Sequence, residues 1–306
     1  MKAVVFAYHN VGARCLPVLL AHGLEVPLVV THRDNPAENI WFDSVAKVAA
    51  QHGIPAITPD DPNTGEITAR IRALEPDFLF SFYYRQMLKP PLLAVPGRGA
   101  LNMHGSLLPK YRGRAPVNWA VINGETETGA TLHYMVEKPD AGDIVARQAV
   151  AILPDDTALD VFHKVTAAAV QVLDRSLPGL LAGTARRIPQ DLSKGSYFGG
   201  RRPEDGRIDW QWPAVRIHNL VRGVAPPYPG AFCTLNGKTL RVLKTRLTGG
   251  AAAGRTIPSL YCDGGRCYAV CGDGRTLELL QLELDNVPVA AAALEREISA
   301  IAYNPI

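Results

Sequence analysis

MKAVVFAYHNVGARCLPVLLAHGLEVPLVVT, residues 1–31, decides the fold. Positions 3–7 (AVVFA) form a short unbroken apolar run. Residues 11–21 then repeat apolar side chains at helical spacing, and 26–31 (VPLVVT) is a second short run. A strand, a helix and a strand, with the strands apolar on both faces, is a parallel βαβ unit. The alternation continues, with strands expected at 54–57, 77–82 and 99–103 and helices at 42–51 and 63–74. Right-handed crossovers then put helices on both faces of an open sheet. Ligands of such sheets bind beyond the carboxyl ends of the strands.

A long helix is expected over 156–181, with Thr157 as N-cap and Gly183 as its stop. The stretch 194–206 (KGSYFGGRRPEDG) is rich in Gly and charge and reads as a linker. A short helix follows at 210–224, and then short strands punctuated by Asn236-Gly237, Asp263-Gly264-Gly265 and Asp273-Gly274. Asn-Gly and Asp-Gly between apolar runs are hairpin turns. The expected architecture is therefore α/β: a Rossmann-like, open, mostly parallel sheet over 1–193, the linker, and a smaller β-barrel (OB-like) domain over 207–306.

Composition narrows the function. Of the 306 residues, 47% are hydrophobic, ample for a packed core, so disorder is excluded. Formal net charge is +3: residues 1–200 hold 19 basic and 19 acidic groups, and 201–306 hold 13 and 10. That balance is poor for gripping a polyanion, and nucleic acid is not expected as a partner. No apolar run reaches the ~18–20 residues of a membrane helix, and the start reads as a buried strand rather than a signal sequence. Five cysteines in a chain this long do not make a disulfide scaffold. Cys262, Cys267 and Cys271 cluster without a C-x-x-C pair and read as small apolar residues in adjacent strands, so no metal is expected. A reduced, cytoplasmic protein is the expectation; oligomeric state is not legible.

Chemistry concentrates in 99–142. Asn102 and His104 alternate onto one side of a strand at its carboxyl end. A basic loop follows with Lys110, Arg112 and Arg114, and then Asp140-Ala141-Gly142-Asp143. An amide donor can hold a developing oxyanion, and an imidazole can donate to it or move a proton. Asp140 or Asp143 could supply the carboxylate that orients the ring. There is no G-x-S-x-G, which argues against a covalent acyl-enzyme and for direct attack by an amine or water.

Asn102-Met103-His104, Ser106-Leu107-Leu108-Pro109, Tyr111-Arg112-Gly113 and Asp140-Ala141-Gly142-Asp143 together resemble the signature of the 10-formyltetrahydrofolate-dependent formyltransferases. The resemblance implies that Asn102, His104 and Asp140 are the catalytic trio. In that reading Asn102 and protonated His104 stabilise the oxyanion, and Asp140 keeps His104 charged and oriented. It implies 10-formyltetrahydrofolate as cosubstrate, held near Met87, Leu88, Arg114 and the loop Val136, Glu137, Lys138 and Pro139. Stretches 6–9 (FAYH), 81–85 (SFYYR), 104–116, 123–129 (NGETETG), 198–203 (FGGRRP) and 229–232 (PGAF) are similar to the branch that formylates UDP-4-amino-4-deoxy-L-arabinose. That branch serves lipid A modification and polymyxin resistance, and it carries a further NAD-dependent decarboxylase half to which no part of these residues is similar. Candidate contacts to the nucleotide sugar are Lys110, Arg112, Asn118, Arg201 and Tyr228.

The main alternative is methionyl-tRNA formyltransferase. Against it, 33–39 reads RDNPAEN where the tRNA enzyme has a basic loop, and 83–85 (YYR) fits the sugar branch. Folate hydrolysis and a non-enzymatic folate-sensing role are further alternatives, weakened by the missing regulatory N-terminal domain and the complete trio.

Overall fold

The computed structural model describes residues 1–251 and 257–299, so the end of the expected second domain, 300–306, lies outside the described residues. In chain order the strands are β1 Lys2–Ala7, β2 Glu25–Val30, β3 Ala56–Ile57, β4 Phe78–Phe82, β5 Gly99–His104, β6 Arg112–Gly113, β7 Glu127–Tyr134, β8 Ile144–Ala151, β9 Tyr197–Phe198, β10 Ala231–Leu235, β11 Lys238–Ala251, β12 Ser259–Asp263, β13 Arg266–Val270, β14 Arg275–Leu284 and β15 Val287–Pro288. The helices are α1 His9–Ala21, α2 Val45–Gln51, α3 Gly65–Arg72, α4 Pro90–Leu93, α5 Pro116–Ile122, α6 Ala158–Ala182, α7 Ala214–Val224 and α8 Ala291–Ser299.

The chain divides into two compact units. The first comprises Met1–Pro116, Glu127–Ala151 and Phe162–Gly199; the second comprises Val117–Thr126, Ile152–Val161 and Gly200–Ile306. Texture alone suggests a single cut through 194–206. The contacts instead interleave the chain, and β9, inside that stretch, pairs in parallel with β6 of the first unit.

The first unit is a seven-stranded sheet ordered β3-β2-β1-β4-β5-β7-β8. Its first five strands are parallel, as the apolar runs predict. β1 and β4 lie at its centre, and Val4, Phe6, Leu79, Phe80 and Phe82 are fully buried. β7 and β8 add an antiparallel hairpin that the sequence pattern does not reveal. β7 is buried on both faces from Thr128 to His133 and so lacks the alternation that marks a half-buried strand.

Two helices start later than their spacing suggests. Ser44 accepts the Lys47 N–H (3.4 Å) and Thr64 accepts the Ile67 N–H (3.3 Å), which fixes α2 and α3 behind these caps. Phe42 belongs to an aromatic cluster with His9 and Tyr8 instead. Thr157 caps α6 as expected, through a reciprocal pair: Asp160 N–H to Thr157 Oγ1 (3.2 Å) and Thr157 N–H to Asp160 Oδ2 (2.9 Å).

The second unit carries an antiparallel, barrel-like six-stranded sheet, β10-β11-β14-β13-β12 with β15 on β14. All three predicted turns join consecutive strands. Asn236 and Gly237 both adopt left-handed φ, +52° and +76°, as a type I′ turn requires. Ile217, Leu220, Val221 and Val224 of α7 pack onto Ala231, Leu240, Val242 and Leu277 of this sheet to form one core. Among the described residues no helix is long and apolar enough to cross a membrane, and no group of three His, Cys, Asp or Glu side chains is placed to hold a metal.

Candidate active site

β5 delivers Asn102 and His104 to the carboxyl edge of the first unit's sheet, on one side of the strand. Antiparallel pairing sets His133 of β7 directly opposite Asn102, and Thr131 opposite His104. Beyond β7 the chain loops through Val136–Pro139 and returns at Asp140, whose φ of +51° turns its carboxylate back toward β5. Gln190 Nε2 holds that turn by donating to the carbonyls of Asp140 (3.0 Å) and Gly142 (2.6 Å).

The Asp140 carboxylate is the hub. Its Oδ1 lies 3.6 Å from His104 Nδ1 and 3.5 Å from His133 Nε2, and it accepts a long bond (3.4 Å) from Asn102 Nδ2. Its Oδ2 accepts the Gly113 N–H at 2.8 Å. Burial raises its pKa, but His104, His133 and the Gly113 N–H outweigh that and hold the carboxyl well below the usual range. Asp140 is an anion at any working pH.

The two imidazoles are oriented by backbone carbonyls. A carbonyl only accepts, so the His104 nitrogen 2.7 Å from the Tyr111 oxygen, Nε2, carries a hydrogen. That leaves Nδ1 as the nitrogen with free capacity. Its 3.6 Å separation from Asp140 Oδ1 is slightly longer than a hydrogen bond. His133 Nδ1 donates to the Tyr134 carbonyl (2.8 Å); its Nε2 accepts from Asn102 Nδ2 (3.1 Å) when the ring is neutral and presents a hydrogen to Asp140 Oδ1 (3.5 Å) when the ring is charged. The neutral-ring contact fixes which way the Asn102 amide faces. His133 is 1% exposed and was not singled out by the sequence; its signal is a register between β5 and β7, which no local pattern carries.

The loop after β5 is tied down on itself. Ser106 Oγ donates to the Lys110 carbonyl (2.6 Å) and Thr131 Oγ1 donates to the Ser106 carbonyl (2.6 Å). The Tyr111 ring stacks on Phe198. Gly113 has φ +97°, and a Cβ there would overlap the Phe198 carbonyl, so β6 admits only glycine where it presents its N–H to Asp140. A Cβ on Gly105 would meet the Tyr83 hydroxyl, which places the 83–85 segment beside the trio. Next to it, at the end of β1, His9 stacks on Phe42 (centroids 3.9 Å apart); burial, with Arg85, pushes it down to about 3. His9 is therefore neutral at physiological pH.

The other candidate residues divide between the units. In the first, Arg112 is buried with an unpartnered Nε, Arg114 is exposed and donates to the Arg85 carbonyl (3.2 Å), and Lys110 is exposed. Met87 is exposed, but the Leu88 side chain packs in the core with Phe6 and Leu79, leaving only its backbone for a ligand. Val136, Glu137 and Lys138 are exposed. In the second unit, Asn118 is buried and its Nδ2 donates to the Gly223 carbonyl (2.9 Å). It also bonds the Tyr228 hydroxyl, whose pKa burial pushes up to about 12. Arg201 sits 4.6 Å above the Trp119 ring and donates to the Asp205 carbonyl.

The open α/β sheet thus brings an Asn, a His and an Asp around one point at its carboxyl edge. The sequence matches the formyl transferase family over residues 2–177 and the formyl transferase C-terminal domain over residues 201–294. The chain belongs to the formyl transferase family and is a formyltransferase. Solved structures share the fold. An N-formyltransferase from Helicobacter canadensis, in complex with folinic acid and dTDP-3-aminofucose, is 20% identical, with a TM-score of 0.73 over 91% of this chain and 98% of that one. WlaRD, a sugar 3N-formyltransferase solved with dTDP and 5-N-formyl-THF, is 18% identical (TM-score 0.71; 91% and 96% covered). A 4-N-formyltransferase from Francisella tularensis is 21% identical (TM-score 0.62; 76% and 91% covered).

Proposed function

We propose that the enzyme moves a formyl group from 10-formyltetrahydrofolate to the amine of a nucleotide-linked amino sugar, in the cytoplasm, and that the sugar is UDP-4-amino-4-deoxy-L-arabinose. The observation that carries this reading is the Asp140 hub, which sets an amide donor and an imidazole around one point at a strand end. Sugar formyltransferases among the structural neighbours support the substrate class, and the sequence resemblance supports the particular sugar.

Asn102 donates an N–H to the formyl oxygen as the amine attacks and negative charge gathers there. The 3.4 Å bond to Asp140 is weak enough for that N–H to be exchanged. His104 Nδ1 faces the same space, and its positive form supports the oxyanion while Asp140 and the Tyr111 carbonyl hold the ring from both sides. The amine must shed a proton and the departing folate nitrogen must gain one; His104 Nδ1 or a water beside it relays that proton. Met87, Leu88 and Arg114, with the loop Val136, Glu137, Lys138 and Pro139, are assigned to the folate. A buried guanidinium with a spare N–H suits an anionic group, and Arg112, with Lys110, is assigned to the diphosphate. Asn118, Arg201 and Tyr228 are kept as candidate substrate contacts on the sequence resemblance alone.

The test is formyl transfer from 10-formyltetrahydrofolate to UDP-, dTDP- and GDP-linked amino sugars and to methionyl-tRNA, read as product mass and kcat/KM. The UDP-linked 4-amino sugar should be preferred. Preference for another nucleotide sugar overturns only the particular sugar, whereas turnover of methionyl-tRNA alone overturns the class.

A further inference from the structure

Cys262 and Cys267 face each other across the β12–β13 hairpin of the second unit. They are a register pair, Cys262↔Cys267, flanked by Asp263↔Arg266 and Tyr261↔Tyr268. The two-residue turn between them, Gly264-Gly265, has left-handed φ at both positions (+54° and +75°), which closes the hairpin in that register. Their sulfurs lie 2.8 Å apart. Directly opposed residues of an antiparallel pair have Cα atoms about 4.5–5.5 Å apart, inside the ~4.4–6.8 Å range a disulfide needs. Cys271, the third member of the sequence cluster, is fully buried and hydrogen-bonds the Ala269 carbonyl instead.

We infer that Cys262 and Cys267 form a reversible redox pair, a modification site that closes as a cross-strand disulfide when a low-molecular-weight disulfide such as oxidised glutathione is present. Cys262 is the entry point. It is half-buried on β12, the edge strand of the sheet, whereas Cys267, Cys15, Cys233 and Cys271 are buried. Burial pushes both thiols up, Cys267 to about 12 with Cys262 adding to the effect, while the bond from Cys267 partly offsets it at Cys262. Cys262, the less buried of the two, is the sulfur a small disulfide in solvent reaches first.

The steps balance. The Cys262 thiol releases its proton to solvent, and its sulfur attacks one sulfur of the small disulfide. That S–S bond breaks, one thiolate leaves and takes up a proton, and Cys262 carries a mixed disulfide. Cys267, deprotonated in turn, attacks the Cys262 sulfur and expels the second small thiol. Two protein thiols are oxidised, one disulfide is reduced to two thiols, and the second step needs only a small movement of sulfurs already in contact.

The test uses the full chain, native, treated with oxidised glutathione, acid-quenched, unfolded and alkylated. The expected product is two hydrogens lighter, loses two of its five alkylatable cysteines, and yields a cross-linked peptide containing Cys262 and Cys267 that dithiothreitol releases. Cys262→Ser and Cys267→Ser should each abolish the cross-link, with Cys15, Cys233 and Cys271 still alkylated. Recovery of Cys262 and Cys267 as free thiols, as stable glutathione adducts, or bridged to any other cysteine would overturn the inference. The wild-type result decides it even if a serine variant fails to fold.

Discussion

Replacing Asp140 by asparagine removes the charge at the centre of the site while keeping its shape. His104 Nδ1 stands 3.6 Å from Asp140 Oδ1. When the ring is charged, as the developing oxyanion demands, two unit charges at that distance attract by about 4–5 kcal/mol with an effective dielectric near 20. Asparagine retains an oxygen that can accept the Gly113 N–H, and its dipole still favours the ring, so roughly 3 kcal/mol should be lost. At about 1.36 kcal/mol per decade this is a fall of ~10²–10³ in kcat. The amine KM should change little, because the charge is needed only as the transition state forms. The assay is initial-rate formyl transfer under saturating folate, with circular dichroism to verify the fold. His104→Ala should fall by a similar factor. Because Asp140 acts through His104, the double variant should be no slower than the worse single variant. A kcat for Asp140→Asn within about threefold of wild type, or a double variant whose loss is the product of the single losses, would refute the reasoning.

His133→Leu removes the acceptor that orients Asn102 and should cost about 1–2 kcal/mol, roughly tenfold in kcat, with His133→Gln recovering part of it; equal rates in both would remove His133 from the positioning of the amide. Gly113→Ala forces a side chain into left-handed backbone against the Phe198 carbonyl, and urea unfolding should show a loss of at least about 1–3 kcal/mol. Thr157→Ala breaks the reciprocal cap of α6 and should cost about 1 kcal/mol of stability in the same measurement. Because the folded Asp140 carboxyl is depressed, its stabilisation is complete above the unfolded value of about 3.9 and is lost only as pH falls through the folded value. The Tm gap between wild type and Asp140→Asn should therefore close in strong acid, as pH falls through the folded value.

The parallel half of the first sheet was legible because each strand, buried on both faces, is a short apolar run, and each turn or cap has its own residue chemistry. Thr157, Asn236-Gly237 and Gly264-Gly265 do locally what their residue types allow. Asn102 and His104 were legible for the same reason: alternation along one strand puts them side by side. β7 was not legible, since burial on both faces removes its period and its apolar residues are interrupted by Thr128, Thr131 and His133. The interleaving of the two units was equally hidden, because it depends on where 117–126 and 152–161 pack rather than on what they contain.

The sequence by itself determined the doubly wound sheet, the hairpin turns of the second unit and the residue types of the trio, since periodicity, capping and turn preference act over a few positions. Only the tertiary structure decided what those residues face. Pairing of β5 with β7 brings His133 to Asn102 across thirty-one positions of chain, and Tyr111 rather than Asp140 takes the His104 Nε2 hydrogen. Three cysteines clustered in the sequence became one cross-strand pair and one buried bystander. Register and loop return are set by the balance of the whole packed unit, and a hydrogen bond between distant side chains leaves no trace in the local order of residues.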